Sequence, residues 1–451
     1  MPSTMGSTSR DDLSRAGAAR AETASGTTDG TTTDGTNGST NGSTNGSTNP
    51  GTTAAGTAST ARPGDIPLRL LDEKGVRHPD PALDRWLTDV DAGTGDARAA
   101  LLALYEEMVV ARRIDAEATA LQRQGELALW PPLQGQEAAQ VGSAAALRTD
   151  DFVFSSYREH AVARKRGVAP VDLLRVWRGI TASGWDPYAV NMATPQVIIG
   201  AQALHGVGYA LGIQADVERG VVEPRQDGTD DDGTAAVVAY VGDGAMSQGD
   251  VNEAFVFAAT WQVPLVLFCQ NNQWAISEPV TLQSGVPLVR RADGFGVPGV
   301  RVDGNDVLAV LAVTREALHR ARTGGGPTFV EAVTYRMGPH TTADDPTRYR
   351  DASELDAWAE RDPVARLAAY LRAGGLLTDD DEARVRAAAD AVAAELRAGV
   401  VALEDPPPLS VFDHVYAEPH ATVAAERAEH AAYLAGFADA DTTTSGEGAD
   451  R

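Results

Sequence analysis

Apolar residues along the chain occur either at helical spacing or in short continuous runs. Helical spacing marks 100–124, 135–148, 170–180, 200–217, 250–262 and 306–323. Continuous apolar runs occur at 235–241 and 264–270, and 328–336 resembles them; Gly, Asp, Pro or Asn residues bound these runs. Such runs are typical of central parallel strands that are buried on both faces. The alternation predicts an α/β fold with a largely parallel sheet and helices on both faces.

Both ends of the chain have a different composition. Residues 1–63 consist mainly of Gly, Thr, Ser, Asn and Ala, with "NGST" three times in succession between 37 and 48. A segment with so little to bury predicts a disordered tail, and 438–451 predicts a second one. Between the tails we expect an N-terminal arm at 64–99, a catalytic domain at 100–415 and a helical segment at 416–437.

Charge and composition exclude several classes of protein. The net charge is −25, and the basic residues are almost all Arg, with Lys only at Lys74 and Lys165, so no basic stripe for nucleic acid is present. The single cysteine, Cys269, lies in the apolar stretch "LVLFCQ" and predicts a core thiol. No apolar run is long enough for a membrane span, and the N-terminus lacks the apolar stretch that is typical of a secretory signal. We therefore expect a cytoplasmic protein with no membrane or nucleic-acid partner.

Two polar motifs follow neighbouring predicted strands. Gly242, Asp243 and Gly244 follow the first run, and Asn271 and Asn272 follow the second. Ligands of open parallel sheets bind at the carboxyl ends of the strands, where these motifs fall. A carboxylate and an amide oxygen suit Mg²⁺, and glycines let backbone approach a diphosphate at the start of the next helix. The pair predicts a site for a metal ion and a diphosphate.

Twenty-six residues separate Gly244 from Asn271, and this arrangement resembles the thiamine diphosphate (ThDP) motif. "FAAT", "FCQNNQWAIS", "RVDGNDVLAV" and "TYRMGPHTTADDPTRYR" are similar to the alpha subunit of the decarboxylating first component of 2-oxo acid dehydrogenase complexes. The resemblance covers roughly residues 100–415 and implies a ThDP-binding fold. It implies that Asp243, Asn272 and the main-chain carbonyl of Trp274 hold Mg²⁺, and that Gly244 and Ala245 line the diphosphate site.

Two further stretches match the same family. Tyr157 and Arg158 in "SSYREH" are similar to a Tyr-Arg pair that contacts the diphosphate, and a guanidinium suits that anion physically. In "VIIGAQ", the resemblance implies that Ile199 is the apolar wedge under the cofactor. Some relatives bind potassium near this loop with a Thr where Ala201 stands, so the resemblance leaves a potassium site open.

Two histidines are candidate catalytic residues. His340 lies in a polar segment bounded by Gly and Pro, which predicts an ordered loop, and a histidine there can donate a proton near neutral pH. The resemblance implies that His340 assists transfer of the acyl group to the lipoyl group. His160 is a weaker candidate, because relatives carry either His or Ala there. Thr341 stands where animal enzymes carry a phosphorylatable Ser, so kinase control stays open.

ThDP chemistry also needs a glutamate against the aminopyrimidine ring, and the resemblance assigns that glutamate to a separate beta subunit. Glu137 in "GQEAAQ" is the one local candidate, but it matches a helix of the alpha subunit itself. The expected assembly is an α₂β₂ heterotetramer that serves a lipoyl acyltransferase core. The expected enzyme is a branched-chain 2-oxo acid dehydrogenase. A pyruvate dehydrogenase is the alternative, and an acetoin dehydrogenase is the third candidate. The alternative from another class of protein is a non-catalytic cofactor-binding or scaffold subunit.

Overall fold

The computed structural model describes residues 64–90, 97–181, 183–226, 228 and 232–443. The predicted tail at 1–63 and residues 444–451 of the predicted C-terminal tail lie outside these described residues. The described strands are β1 (Phe152–Phe154), β2 (Val237–Gly242), β3 (Leu265–Asn271), β4 (Trp274–Ala275), β5 (Glu278–Pro279), β6 (Gly299–Asp303) and β7 (Thr328–Val333).

Five of these strands form one parallel sheet in the order β1-β2-β3-β7-β6, and β4 pairs antiparallel with β5. In the register of the central pair, Val237 lies opposite Leu265 and Val241 opposite Cys269. Every residue of β3 is buried, and β2 is buried as far as Val241. This burial confirms that the two continuous apolar runs are central parallel strands.

Helices cover both faces of the sheet. The described helices are α1 (Pro81–Asp84), α2 (Ala97–Arg123), α3 (Glu137–Ala145), α4 (His160–Lys165), α5 (Pro170–Arg178), α6 (Pro187–Val190), α7 (Ala201–Glu218), α8 (Gly249–Trp261), α9 (Val280–Gln283), α10 (Val289–Phe295), α11 (Val307–Arg322), α12 (Ala352–Ala359), α13 (Pro363–Ala373), α14 (Asp379–Val401) and α15 (Ala421–Thr443). The predicted strand, helix, strand unit is confirmed as β2, α8 and β3.

Alternate side chains of the central strands enter two different cores. Tyr240 and Phe268 pack in a core with α2, α3 and α11, whereas Val241 and Cys269 pack in a core with α7, α8 and α10. This division follows from the two-residue period of a strand, which sends neighbouring side chains to opposite faces. The thiol of Cys269 is free and buried, as its apolar neighbours predict.

Local polar groups set where several helices begin. The Asp306 carboxylate accepts hydrogen bonds from the main-chain N–H groups of Leu308 and Ala309 at 3.0 and 3.1 Å and so begins α11. Thr378 and Asp381 form a capping box at the start of α14. Within the described residues, no helix is both long enough and apolar enough to cross a membrane.

Candidate active site

A cavity of about 260 Å³ opens at the carboxyl ends of β2 and β3. Its wall contains every site residue expected from the sequence except His160. These lining residues are Tyr157, Arg158, Ile199, Gly242, Asp243, Gly244, Ala245, Asn272, Trp274 and His340. Residues from five separate stretches of the chain therefore meet at one place, and that place is the strand edge that the two polar motifs predict.

Asp243 follows β2 directly and precedes a 3₁₀ turn at Gly244–Ser247. Its side chain is buried, and Gln283 Nε2 donates to Oδ2 at 3.3 Å. Burial raises the pKa of Asp243 to about 6, although hydrogen bonds from main-chain N–H groups and the charge of Arg336 oppose that rise. An ionised carboxylate in such a place is stabilised by a bound cation. The Asp243 carboxylate is therefore suited to bind a metal ion.

Asn272 and Trp274 supply neutral oxygen atoms beside it. Asn272 Nδ2 donates to Gln136 Oε1 at 3.1 Å, and its Oδ1 accepts from the main-chain N–H of Trp274 at 3.3 Å. Arg336 Nη1 donates to the main-chain carbonyl of Trp274 at 3.0 Å, which leaves that oxygen a second lone pair. One carboxylate, one amide and one carbonyl are oxygen ligands of the kind that Mg²⁺ takes, with phosphate oxygens and water in the other positions.

The two glycines of the first motif keep different spaces open. A Cβ built on Gly242 meets no atom within 4 Å, so a side chain there would extend into the cavity. A Cβ on Gly244 would lie 2.6 Å from the Cβ of Ala275, which is closer than real carbon atoms approach. Gly242 therefore leaves room for a ligand, whereas Gly244 lets two segments of the cavity wall pack together.

Arg158 and His340 are 182 positions apart in the chain but adjacent in the site. His340 Nδ1 lies 3.3 Å from Arg158 Nη2 and 3.2 Å from Arg336 Nη1. A guanidinium can only donate, so Nδ1 is the acceptor and the ring proton is on Nε2. Arg158 Nη2 also donates to the main-chain carbonyl of His340 at 3.0 Å. The contacts of the two arginines thus assign one tautomer to the imidazole.

The same contacts keep His340 uncharged. Burial, followed by the charges of Arg158 and Arg336, lowers the pKa of His340 to about 3, and Asp344 opposes this only in part. Asp344 Oδ2 accepts from the main-chain N–H of His340 at 2.8 Å, and the Tyr349 hydroxyl also donates to it. At neutral pH, His340 is therefore a hydrogen-bond donor through Nε2 and not an imidazolium.

Tyr157 and Ile199 provide the less polar part of the wall. The Tyr157 ring meets the His340 ring edge to face, with 6.0 Å between the centroids, and Arg158 stacks over the same tyrosine at 5.4 Å. Ile199 is 41% exposed and precedes α7. An exposed apolar side chain in a cavity wall can support the ring of a bound ligand. The wedge role of Ile199 stays a prediction.

His160 is not brought into this cavity. It is buried at the start of α4, where its ring stacks on Trp130 with 4.0 Å between the centroids. Its Nε2 lies 3.0 Å from the main-chain oxygen of Pro131, so Nε2 donates. Burial lowers the pKa of His160 to about 3. A catalytic role for His160 stays a prediction that these contacts do not support, because both the ring and its proton are already engaged.

The sequence reasoning missed several polar residues at the site, among them Gln136, Glu159, Gln270 and Arg336. Gln270 Nε2 donates to Glu159 Oε1 at 2.6 Å inside the cavity wall, and burial raises the pKa of Glu159. Gln270 Oε1 is buried and has no hydrogen-bond partner among the described residues. Arg336 and Glu159 each lie in a sequence stretch that resembles the family. That resemblance was the one feature of the sequence that could have identified them as site residues.

Glu137, the local candidate for a catalytic glutamate, has a different part in the structure. It is fully buried at the start of α3, where Arg112 Nε donates to it at 2.8 Å and the Gly135 N–H at 3.0 Å. It does not line the cavity. An ion pair of this kind holds α2 against α3.

The chain is similar to known dehydrogenase subunits over most of its length. The family model described as "Dehydrogenase E1 component" matches residues 105–400. A 3-methyl-2-oxobutanoate dehydrogenase subunit alpha from Mycobacterium tuberculosis is 49% identical over 333 residues, which are 74% of this chain and 87% of that protein.

Two pyruvate dehydrogenase E1 component alpha subunits are also similar to the chain. The protein from Staphylococcus epidermidis is 40% identical over 63% of this chain and 74% of its own length. The protein from Acholeplasma laidlawii is 35% identical over 74% of this chain and 94% of its own length.

Proposed function

Because this chain belongs to the dehydrogenase E1 component family, we propose that it is the alpha subunit of a branched-chain 2-oxo acid dehydrogenase. In this proposal it acts with ThDP and Mg²⁺ in the oxidative decarboxylation of a 2-oxo acid, and the acyl group passes to a lipoyl-lysine. The observation that carries the proposal is the convergence of Asp243, Asn272, Arg158 and His340 on one cavity at the sheet edge.

The residues of the wall divide by chemistry into two sets. Asp243, Asn272 and the Trp274 carbonyl would hold the metal ion, and Gly242 leaves space for the diphosphate beside it. Arg158 adds a guanidinium to the cavity wall, where it can pair with phosphate oxygens. When bound, ThDP supplies the carbon nucleophile that takes up the oxo acid. This chain supplies the binding, orientation and charge.

His340 would serve the transfer to the lipoyl group. Its neutral ring carries the proton on Nε2, so it can donate a hydrogen bond to negative charge that develops on the reacting atoms. Arg158 and Arg336 hold this tautomer and also place positive charge behind the ring. The role is therefore stabilisation by a positioned donor.

The site also has features of a surface that a second subunit completes. Ile199 and Ile276 line the cavity with 41% and 56% of their surface exposed, and Ile198, beside Ile199 in the chain, is 73% exposed. Apolar side chains clustered at a cavity mouth are typical of a protein interface. We therefore propose a beta subunit as the partner, in an α₂β₂ assembly that serves an acyltransferase core. That subunit would supply the glutamate for the aminopyrimidine ring.

The test is to co-express the chain with its beta subunit and measure ThDP-dependent decarboxylation of 3-methyl-2-oxobutanoate and pyruvate with an artificial electron acceptor. We expect the branched oxo acid to have the higher kcat/KM. A preference for pyruvate would favour the alternative, which the 40% identical pyruvate dehydrogenase subunit supports. Binding of ThDP without turnover of either substrate would favour a non-catalytic subunit and refute the proposal.

A further inference from the structure

A buried carboxylate on α2 holds a loop that passes behind the cavity. Asp115 is 4% exposed, and its oxygens accept hydrogen bonds from Trp130 Nε1 at 2.8 Å and from the main-chain N–H groups of Leu133 and Gln134 at 3.0 and 3.1 Å. No ion pair to Asp115 exists among the described residues. Three neutral donors therefore fix the loop of residues 130–134, here called the template loop.

The template loop contacts Arg158 on its other side. The main-chain carbonyl of Pro132 accepts from Arg158 Nη1 at 2.6 Å, while Nη2 of the same guanidinium reaches His340. One end of the Arg158 fork is thus held by the loop and the other faces the candidate catalytic ring. A shift of Pro132 would move both contacts, because the guanidinium is planar and rigid.

The same loop also holds both sides of the segment that carries His340. Trp130 and Thr342 exchange two hydrogen bonds: Trp130 N donates to Thr342 Oγ1 at 3.0 Å, and Thr342 N donates to the Trp130 carbonyl at 2.9 Å. On the other side of His340, Met337 N donates to the Gln134 carbonyl at 3.0 Å. The template loop therefore anchors residues 337–342 at both ends.

The composition of the loop explains why it needs an external anchor. Pro131 and Pro132 have no N–H group, so the loop cannot close on itself through hydrogen bonds at these positions. The carbonyls of the two prolines accept from Arg158 and His160, and the N–H groups of Leu133 and Gln134 donate to Asp115.

We propose that Asp115 is a positioning residue for the reaction: through the template loop it sets Arg158 and both ends of the segment that carries His340. For its kinetic consequences this inference depends on the proposed function. The coupling between Asp115 and residues 337–342 is a property of the fold and can be measured without turnover.

The first experiment is hydrogen exchange on the enzyme assembled with its beta subunit. Asp115→Asn keeps the size of the side chain but places an amide NH₂ against N–H donors. We expect the peptide that covers 337–342 to exchange about tenfold faster, because the amides of Met337 and Thr342 lose their fixed acceptors. Unchanged exchange at 337–342 would overturn the proposal.

Asp306→Asn is the matched control. Asp306 is also fully buried and accepts main-chain N–H groups, from Leu70 and Leu71 at 2.6 Å as well as from α11. It does not line the cavity. We expect this variant to melt earlier without a change in exchange at 337–342 or in ThDP affinity. An equal change at 337–342 in both variants would show that Asp115 has only a general structural role.

The second experiment is a double-mutant cycle on ThDP affinity. If Asp115 acts through Arg158, Asp115→Asn should weaken ThDP binding about tenfold in the wild-type background and far less in an Arg158→Ala background. Equal losses in both backgrounds would refute that route. Trp130→Phe removes one of the three donors to Asp115. It should weaken ThDP binding less than Asp115→Asn does, and again mainly in the background that retains Arg158. This variant keeps the test decisive if Asp115→Asn does not assemble with the beta subunit.

The two proposals can fail separately. If exchange at 337–342 responds to Asp115→Asn but neither oxo acid is decarboxylated, the positioning role stands and the proposed function is wrong. If decarboxylation is observed but exchange and the cycle do not respond, the proposed function stands and the positioning role is wrong.

Discussion

Replacement of His340 gives the sharpest test of how this site works. The imidazole accepts through Nδ1 from two guanidinium groups and carries its proton on Nε2. The amide nitrogen of Gln can occupy a position close to that of Nε2, whereas the side chain of Asn is too short and that of Ala carries no donor. His340→Gln should therefore retain part of the function that His340→Asn and His340→Ala lose.

The expected size of the loss follows from the kind of donor. A neutral ring that stabilises developing charge resembles an oxyanion-hole donor, whose removal costs about 10²–10³ in rate, or roughly 2.7–4 kcal/mol. We expect this loss in acyl transfer to a lipoyl domain for His340→Ala. Decarboxylation measured with a dye acceptor should fall much less, because in our proposal that step depends on a glutamate of the beta subunit.

The pH dependence provides an independent check. The pKa of His340 lies at about 3, below the usual value for histidine, so the ring is neutral above that pH and its charge does not change between pH 5 and 8. The rate of acyl transfer should show no ionisation of His340 in that interval. An acidic limb near pH 6.5 that disappears in His340→Gln would refute the neutral-donor mechanism. If His340→Ala slowed acyl transfer and decarboxylation equally, His340 would instead serve cofactor or substrate binding.

Four other changes have defined outcomes. Asp243→Ala should abolish Mg²⁺-dependent ThDP binding in calorimetric titration while the enzyme still assembles, and unchanged affinity would contradict the metal assignment. Gly242→Ala should weaken ThDP binding without a change in melting temperature, whereas Gly244→Ala should also lower stability by about 1–3 kcal/mol because of the contact with Ala275; equal melting temperatures would contradict this difference. Deletion of residues 1–60 should leave melting temperature and decarboxylation unchanged, and a drop of several degrees would show that this segment packs.

The sequence by itself determined the central strands and the polar motifs at their carboxyl ends. The runs that became β2 and β3 contain almost only apolar residues, because both faces of the sheet are covered. The end of a buried strand is a local feature of the chain. Asp243 and Asn272 could therefore be located without knowing how the chain folds back on itself.

Edge elements were harder to read. Strand β6 is mostly half-exposed and contains Arg301 and Asp303, so its side chains do not form an apolar run. Its place in the sheet comes from pairing with β7, in which Val302 lies opposite Ala332. A pairing between strands is a tertiary contact and leaves little local signal.

Only the tertiary structure decided which polar groups face the cavity. His160 and His340 both lie in polar stretches with a family resemblance, yet His160 stacks on Trp130 and His340 lines the cavity. Arg158 reaches His340 across 182 positions of sequence, and that contact assigns both the tautomer and the neutral state of the ring. Hydrophobic periodicity records how each segment meets the core, but hydrogen bonds between distant loops depend on how the packed elements place them.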